Sequence, residues 1–156
     1  MAVRVQRDAF EADTEVKRLT AGLCDVGAIV TFTGVMRRRN EGKDVTTMTL
    51  EHYPGMTESE LERVEREAAE RWPLQASLIV HRVGDFKPGD NIVLVVTASA
   101  HRHAAFAAAE FLMDYLKTRA PFWKKEWGPA GNRWVAARGS DEAAAQSWER
   151  AKRPGG

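Results

Sequence analysis

The chain has 156 residues, of which 44% are hydrophobic and 29% are charged, a composition typical of an ordinary globular domain. We predict a single domain over residues 1–150 and a polar tail over residues 151–156 that frays. A net charge of +1 argues against a dedicated nucleic-acid binder, which would be strongly basic. The single cysteine excludes an intrachain disulfide and a cysteine metal cluster. The sequence has neither a membrane-spanning apolar run nor a signal peptide core, so we expect a cytoplasmic protein without membrane contact.

The start of the chain predicts two strands that flank a helix. Residues 3–6 alternate apolar and polar side chains, as in a short strand. Asp13 or Thr14 is expected to cap a helix that runs through residue 23. The inner face of this helix is predicted to carry Val16, Leu19, Thr20 and Leu23. Residues 28–35 (AIVTFTGV) are apolar or β-branched, which predicts a buried strand.

A polar, arginine-rich loop comes next. Residues 36–44 (MRRRNEGKD) contain a turn signal at residues 40–42. Residues 46–53 alternate as a strand does, and we expect this strand to pair with the strand at 28–35. Such pairing places the arginines at 37–39 at one end of a hairpin. On charge alone, a solvated loop kept soluble by its arginines explains the segment equally well.

The middle of the chain predicts an amphipathic helix and two strands. Thr57 is expected to open the helix, with Glu60 completing a capping box, and Pro73 ends it. The apolar stripe of this helix consists of Leu61, Val64, Ala68 and Trp72. Residues 78–83 predict a strand, and residues 91–99 (NIVLVVTAS) form the most apolar segment, so we expect that strand to be central.

The longest predicted helix runs from an N-cap at Ser99 to the residues before Pro121, which cannot continue a helix. The apolar stripe of this helix is predicted to contain Phe106, Ala109, Leu112, Met113 and Leu116. Residues 122–127 and 133–136 flank a GPAGN turn and predict a hairpin. A last helix is expected over residues 141–150, capped by Ser140.

Positive charge gathers at both ends of the long helix. His101 and Arg102 lie in its first turn, where free backbone N–H groups favour an anion. Lys117 lies in its last turn, and strand alternation puts Lys124 and Glu126 on one side of the following segment. His101 and Lys117 are separated by roughly 24 Å along a straight helix. Either the two ends serve different purposes, or a two-fold axis joins them across two copies, and we favour the second.

Lys117 is the most informative single residue of this cationic set. Like charges from Arg119, Lys124 and Lys125 disfavour its protonated form, so it could act as a proton carrier or nucleophile near neutral pH. It could equally stay charged and bind a phosphate. The sequence contains no phosphate-binding glycine loop, no HExxH and no GxSxG motif, and we expect no metal site.

Four stretches carry a resemblance to a known family: VTFTGVMR at 30–37, LEHYPGMT at 50–57, SAHRHAAF at 99–106 and MDYLKTRAPFWKKE at 113–126. These stretches closely resemble the catalytic large subunit of molybdopterin synthase. The similarity extends in register from residue 27 to residue 148 and includes HRVG at 81–84. The resemblance implies an α+β fold, of the α/β hammerhead type, with an added small antiparallel β subdomain.

The resemblance also implies an activity and partners. Members of this family are sulfurtransferases of molybdenum cofactor biosynthesis that need no cofactor of their own. They convert cyclic pyranopterin monophosphate (precursor Z) into molybdopterin by installing two dithiolene sulfurs. The sulfur comes from a small ubiquitin-like subunit whose C-terminal Gly-Gly carries a thiocarboxylate. The large subunits form a homodimer with one small subunit at each end, a heterotetramer, without nucleic acid or membrane.

The family's functional residues map onto this sequence position by position. Lys117 matches the active-site lysine and Lys124 its essential companion, so both are expected to be catalytic. The expected substrate-binding residues are Val35, Met36, Arg37, His101, Arg102, Lys117, Lys124, Lys125 and Glu126, with His101 and Arg102 supplied by the neighbouring chain. Positions expected to line or support the pocket are Phe32, Met113 and Arg138.

Two other classes of function stand beside the enzyme. A non-catalytic scaffold could keep the anion pocket without turnover, although the intact set of lysines and arginines argues against such decay. A nucleic-acid binder is the other class. RNA binding that lacks salt sensitivity would exclude it, because phosphate contacts release counterions.

Overall fold

The structure is a computed structural model that describes residues 2–129, 131–135 and 139–152, with side chains of the last range described for residues 143–149. The described strands are β1 (Ala2–Gln6), β2 (Ala28–Val35), β3 (Arg39–Asn40), β4 (Lys43–Asp44), β5 (Thr47–His52), β6 (Leu74–Arg82), β7 (Gly84–Phe86), β8 (Asn91–Ser99), β9 (Phe122–Gly128) and β10 (Gly131–Val135). The described helices are α1 (Ala12–Thr20), α2 (Met56–Arg71), α3 (Arg102–Thr118) and α4 (Gly139–Lys152).

The first sheet has the strand order β1-β6-β8-β2, in which β1 runs parallel to β6 and the other pairs are antiparallel. Helix α1 packs on one face, over Leu78, Val80 and Leu94. Helices α2 and α3 pack on the other face, over Ile79 and Val95. Strand β8 is therefore central and buried on both faces, which confirms the prediction for residues 91–99.

The second sheet is antiparallel, with the strand order β10-β9-β5-β7. Its own small core consists of Met36, Val45, Met48, Leu50 and Phe86. This sheet is the added antiparallel subdomain that the resemblance implies, and the mixed fold class is confirmed. Strands β3 and β4 form a separate two-stranded hairpin beside it. Among the described residues, no helix combines the length and apolar character that crossing a bilayer requires.

The expected pairing of the strands at 28–35 and 46–53 is wrong. Strand β2 pairs with β8 of the first sheet, whereas β5 pairs with β7 and β9 of the second. The loop between them carries the chain from one sheet to the other. Just after β2, the Met36 N–H donates to the Asp90 carbonyl, and the Met36 side chain enters the core of the second sheet. Alternation of apolar and polar residues indicates that a segment is a strand, but it does not indicate which other strand it pairs with.

Strand β2 is also not buried on both faces, contrary to the prediction. It is the edge strand of the first sheet, and Ile29, Phe32 and Val35 are each more than a third exposed. An apolar run predicts burial only when another element covers it, and no described element of the single chain covers these side chains. Exposed large apolar side chains on an edge strand are available for contact with another chain.

Two helices begin at residues other than those predicted, because tertiary contacts occupy the expected caps. Ser99 ends β8 and donates its hydroxyl hydrogen to the Pro73 carbonyl at 2.9 Å, so His101 is the N-cap of α3. Thr57 lies inside α2, buried. The Glu58 carboxylate, rather than Glu60, accepts the backbone N–H that precedes α2, that of Gly55.

The remaining differences concern element ends and helix faces. Helix α1 begins at Ala12, before the predicted caps, and Leu23 is exposed beyond its end. Phe106 is 61% exposed, because α3 packs on the sheet through a neighbouring face of small alanines.

Ser140 lies inside α4 rather than capping it. Strand β7 was not predicted, since three residues show no periodicity. The domain boundary at residue 150 stays a prediction.

Candidate functional site

Lys117 lies exposed in the last turn of α3, close to a buried histidine of the first sheet. His81, near the end of β6, is 7% exposed and stacks on Phe122. Burial is the main cause that lowers the pKa of His81 to about 4, and the charges of Lys117 and His52 act in the same direction. At neutral pH the Lys117 ammonium therefore has a neutral imidazole as a neighbour instead of another cation.

A bend at Pro121 separates Lys117 from Lys124, and a buried hydroxyl holds that bend. Thr57 Oγ1 accepts the Tyr53 N–H at 3.0 Å and donates to the Pro121 carbonyl at 3.2 Å. The start of α2 thus fixes the backbone between the two lysines. That both amino groups contact one ligand stays a prediction.

Strand β9 presents its alternate side chains to two faces, as predicted. The Lys125 Nζ atom lies 4.7 Å from the ring centroid of Trp127 and 5.3 Å from that of Trp134. Lys124, half-buried, and the buried Glu126 take the opposite face. The charge of Lys125 is therefore held by two indole rings, whereas Lys124 shares its face with a carboxylate.

Both oxygens of the Glu126 carboxylate are hydrogen-bonded within the chain. Oε2 accepts the Asn40 Nδ2 hydrogen at 2.9 Å, and Oε1 accepts an Arg133 Nη2 hydrogen at 3.1 Å. Arg133 also donates to the Glu41 carboxylate at 3.2 Å and to the Asn40 carbonyl at 3.4 Å. These bonds join β9 and β10 to the turn of the β3–β4 hairpin.

Arg37 lies exposed between two anchored residues. Met36 is buried, and its carbonyl accepts the Gly89 N–H at 2.9 Å. On the other side, the Arg38 carbonyl accepts the Val45 N–H at 2.7 Å. The backbone on both sides of the Arg37 guanidinium is therefore ordered by hydrogen bonds.

The turn predicted at residues 40–42 is confirmed. Glu41 and Gly42 have φ values of 52° and 76°, the left-handed pair of a two-residue hairpin turn. Residues 39–44 form the separate β3–β4 hairpin, which neither open interpretation of this arginine-rich segment describes, because the hairpin end expected here required the strands at 28–35 and 46–53 to pair.

His101 and Arg102 lie exposed at the opposite end of α3 from Lys117. One helix of 17 residues, Arg102–Thr118, spans the interval, which corresponds to roughly 24 Å at 1.5 Å per residue. Within one chain, a small ligand bound at Lys117 cannot contact Arg102. Supply of this pair by a neighbouring chain stays a prediction.

The supporting positions fall in different surroundings. Phe32 and Val35 are exposed side chains of the edge strand β2. Met113 is buried in the core between α2, α3 and the first sheet. Arg138 lies outside the described residues. The ligand contacts assigned to these residues remain predictions.

Sequence reasoning did not single out His81, Asn40 or Arg133 as site residues. The signal for Arg133 was available, because Gly128 and Gly131 pair across the predicted hairpin and counting back places Arg133 opposite Glu126. No comparable local signal exists for Asn40, which lies 86 residues from Glu126.

The fold and the site together define a class: a mixed α/β protein that carries a group of lysines and arginines near the junction of two sheets. The family model described as MoaE protein matches residues 5–119. The chain belongs to the MoaE protein family.

Known relatives and solved structures agree with this assignment. The molybdopterin synthase catalytic subunit of Pseudomonas aeruginosa is 55% identical over 149 residues, which cover 96% of this chain and 99% of that protein. The structure of the molybdopterin biosynthesis MoaE protein from Burkholderia ambifaria matches with a TM-score of 0.81 and 51% identity, over 96% of this chain and 99% of that one.

A more distant structure shares the fold. It belongs to a protein–protein complex of subunits 1 and 2 of molybdopterin-converting factor from Helicobacter pylori. The match has a TM-score of 0.71 at 19% identity and covers 87% of this chain and 91% of that one.

Proposed function

We propose that this chain is the catalytic subunit of a cytoplasmic molybdopterin synthase. It transfers sulfur from the C-terminal thiocarboxylate of a small ubiquitin-like subunit to cyclic pyranopterin monophosphate, and so forms the dithiolene of molybdopterin. One observation supports the proposal most. Thr57, His81 and Phe122, from three separate stretches that resemble the family, meet around the bend between Lys117 and Lys124.

The electrostatics of the site suit this reaction. A cyclic phosphate and a thiocarboxylate are both anions, so fixed cations must offset their repulsion when they meet. Lys117, Lys124 and Arg37 supply positive charge from one chain, and Lys125 and Glu126 flank them on β9. Lys117 provides both positive charge and a transferable proton where the sulfur-bearing carboxyl group meets the substrate. In net terms, each transfer exchanges one substrate oxygen for the thiocarboxylate sulfur. A carbon–sulfur bond forms on the substrate, the carbon–sulfur bond of the thiocarboxylate breaks, and an oxygen takes the place of the sulfur, so that the small subunit is left with a carboxylate.

The assembly follows from the length of α3. A homodimer brings His101 and Arg102 of one chain to the Lys117 end of the other and completes the cationic pocket. The exposed apolar side chains of β2 and the exposed Phe106 are surfaces that such an assembly would cover. A small subunit binds at each end, in keeping with the two-subunit complex of the Helicobacter pylori protein.

The direct test is reconstitution. Purified chain, thiocarboxylated small subunit and cyclic pyranopterin monophosphate should yield molybdopterin. Lys117→Ala should lower turnover about a hundredfold or more, because it removes the charge and the proton together. Its thermal unfolding midpoint should stay near that of the wild type, since Lys117 is exposed.

Lys117→Arg separates charge from proton transfer. Arginine keeps the positive charge but does not release a proton, so we expect its activity to remain close to that of the alanine variant. If the wild-type chain binds the thiocarboxylated subunit but makes no product, the non-catalytic scaffold is the better description. Near-normal turnover by Lys117→Ala would contradict the role given to Lys117.

A further inference from the structure

Both oxygens of the buried Glu126 carboxylate already accept a hydrogen bond from inside the chain. Its two oxygens accept from Asn40 and Arg133, which lie on different elements. A carboxylate accepts but does not donate hydrogen bonds, and it repels a phosphate placed beside it. Both facts favour a role for Glu126 that does not involve contact with an anionic substrate.

The β3–β4 hairpin is held against the second sheet at two places. At its base, the Thr46 N–H donates to the Trp127 carbonyl at 2.8 Å, and the Asp44 carbonyl approaches Gly128 so closely that a Cβ there would lie 2.3 Å from it. At its tip, Arg133 and Glu126 hold Asn40 and the turn that follows.

Between these two places the hairpin is not packed against the sheet. A cavity of about 170 Å³ separates them, lined in part by Lys43, Glu126, Trp127 and Arg133. Because apolar packing does not fill this space, the hydrogen bonds at the tip carry the tertiary contact of the turn.

The network connects two segments that bear site cations. Arg37 lies just before the hairpin, and Lys124 lies on β9 two residues before Glu126, on the same face of the strand. We propose that Asn40, Glu126 and Arg133 form a positioning network that sets the place of Arg37 relative to Lys124. Glu126 acts on binding of the phosphate-bearing substrate through this network. This inference rests on the proposed function.

Asn40→Ala is the most informative variant. It removes the link from the hairpin side, touches no predicted substrate contact, and leaves the Glu126–Arg133 ion pair intact. Loss of one hydrogen bond to a buried carboxylate should raise the KM for cyclic pyranopterin monophosphate about tenfold. The kcat and the KM for the thiocarboxylated small subunit should stay within about twofold, because the reacting groups are not disturbed.

Asn132→Ala is the matched control. It makes the same substitution on β10, beside Arg133, at an exposed side chain. Its kinetic constants and its thermal unfolding midpoint should equal those of the wild type.

A double-variant comparison separates positioning from direct contact. If Glu126 acts through the hairpin, Glu126→Gln should raise the same KM, and adding Asn40→Ala to it should cost little more, because both break one link. If Glu126 contacts the substrate itself, Asn40→Ala leaves KM near the wild-type value while Glu126→Gln raises it. That result overturns the inference.

Trypsin provides a readout that needs no activity. The bonds after Arg37, Arg38 and Arg39 are trypsin sites in an ordered segment, so their cleavage rate reports local opening. Mass spectrometry should show these bonds cut at least fivefold faster in Asn40→Ala than in wild type or Asn132→Ala. Equal rates overturn the inference. If the wild type makes no molybdopterin, the proposed function fails, and this comparison still decides whether the network orders the segment.

Discussion

The imidazole of His81 stacks on the ring of Phe122, with centroids 3.9 Å apart and planes 19° from parallel. His81 lies near the end of β6 in the first sheet, whereas Phe122 is the first residue of β9, the strand that carries Lys124 and Lys125. The cationic segment after the Pro121 bend is thereby attached to the core of the other sheet. Its attachment depends on a histidine that stays neutral.

This histidine should make stability depend on acid. The pKa of His81 is about 4 in the folded chain against an ordinary 6.5, so between these values only the unfolded chain binds the proton. Stability from this group is complete above pH 6.5 and is lost as pH falls towards 4. By pH 5 the loss should be on the order of 2 kcal/mol. Urea unfolding of wild type and His81→Gln at pH 7 and pH 5 measures this loss. If the free energies of unfolding of the two proteins differ by the same amount at both pH values, the prediction is contradicted.

Glu65 should act in the opposite direction. Burial is the main cause that raises its pKa from 4.5 to about 7, against the hydrogen bond donated by the Ser77 hydroxyl at 2.8 Å. The folded chain keeps this proton while the unfolded chain loses it, so stability falls as pH rises from 4.5 to 7. The free energy of unfolding of Glu65→Gln, taken relative to that of the wild type, should therefore rise by on the order of 3 kcal/mol from pH 5 to pH 8.

The control for Glu65 is Glu70→Gln, at an exposed glutamate of the same helix. The stability of this control variant should depend on pH as that of the wild type does. A gain in stability as large as that of Glu65→Gln would refute the assignment of the effect to Glu65. Because the windows of His81 and Glu65 overlap between pH 4.5 and 6.5 with opposite signs, the wild-type profile alone should be shallow. Only the variants separate the two contributions.

Thr57 offers a test of the bend between Lys117 and Lys124. Its buried hydroxyl bonds to the Tyr53 N–H and to the Pro121 carbonyl. Thr57→Val keeps the shape but leaves both groups unpaired, so unfolding should become easier by about 1–3 kcal/mol. Thr57→Ser retains the hydroxyl and should lose less. Thermal or urea unfolding of the two variants measures these losses. Equal losses would mean that the methyl group contributes as much as the hydroxyl and would contradict the prediction.

Gly128 tests the base of the β3–β4 hairpin. An alanine Cβ there would lie 2.3 Å from the Asp44 carbonyl oxygen, a backbone atom that cannot rotate away. Gly128→Ala should therefore displace β4 and cost about 1–3 kcal/mol of stability. Urea unfolding gives the loss, and tryptic cleavage at residues 37–39 should accelerate as it does in Asn40→Ala. Wild-type values in both assays would show that the close approach of the Asp44 carbonyl to Gly128 does not stabilise the base of the hairpin.

Local pattern was sufficient for the elements that need no distant partner. The strand predicted at 91–99 has the observed bounds Asn91–Ser99, because its apolar run is long enough to be recognised by itself. Pro121 correctly limits α3, since proline excludes its predecessor from the helix. The turn at Glu41 and Gly42 follows from the same kind of backbone constraint.

Local pattern failed where a side chain had two competing uses. Ser99 and Thr57 both have the chemistry of an N-cap, yet each donates its hydroxyl hydrogen to a carbonyl more than twenty residues away. The predicted pairing of β2 with β5 was wrong for a different reason: a strand pattern fits several partners, and only the assembled sheets select one.

The sequence by itself determined the longer strands, the four helices, the family and the positions of the lysines, since these depend on neighbours in the chain and on recognisable strings. Only the tertiary structure decided that Glu126 is bonded to Asn40 and Arg133, and that His81 is neutral beside Lys117. Hydrogen bonding and desolvation depend on which atoms surround a group in space, and folding brings those atoms from distant parts of the chain.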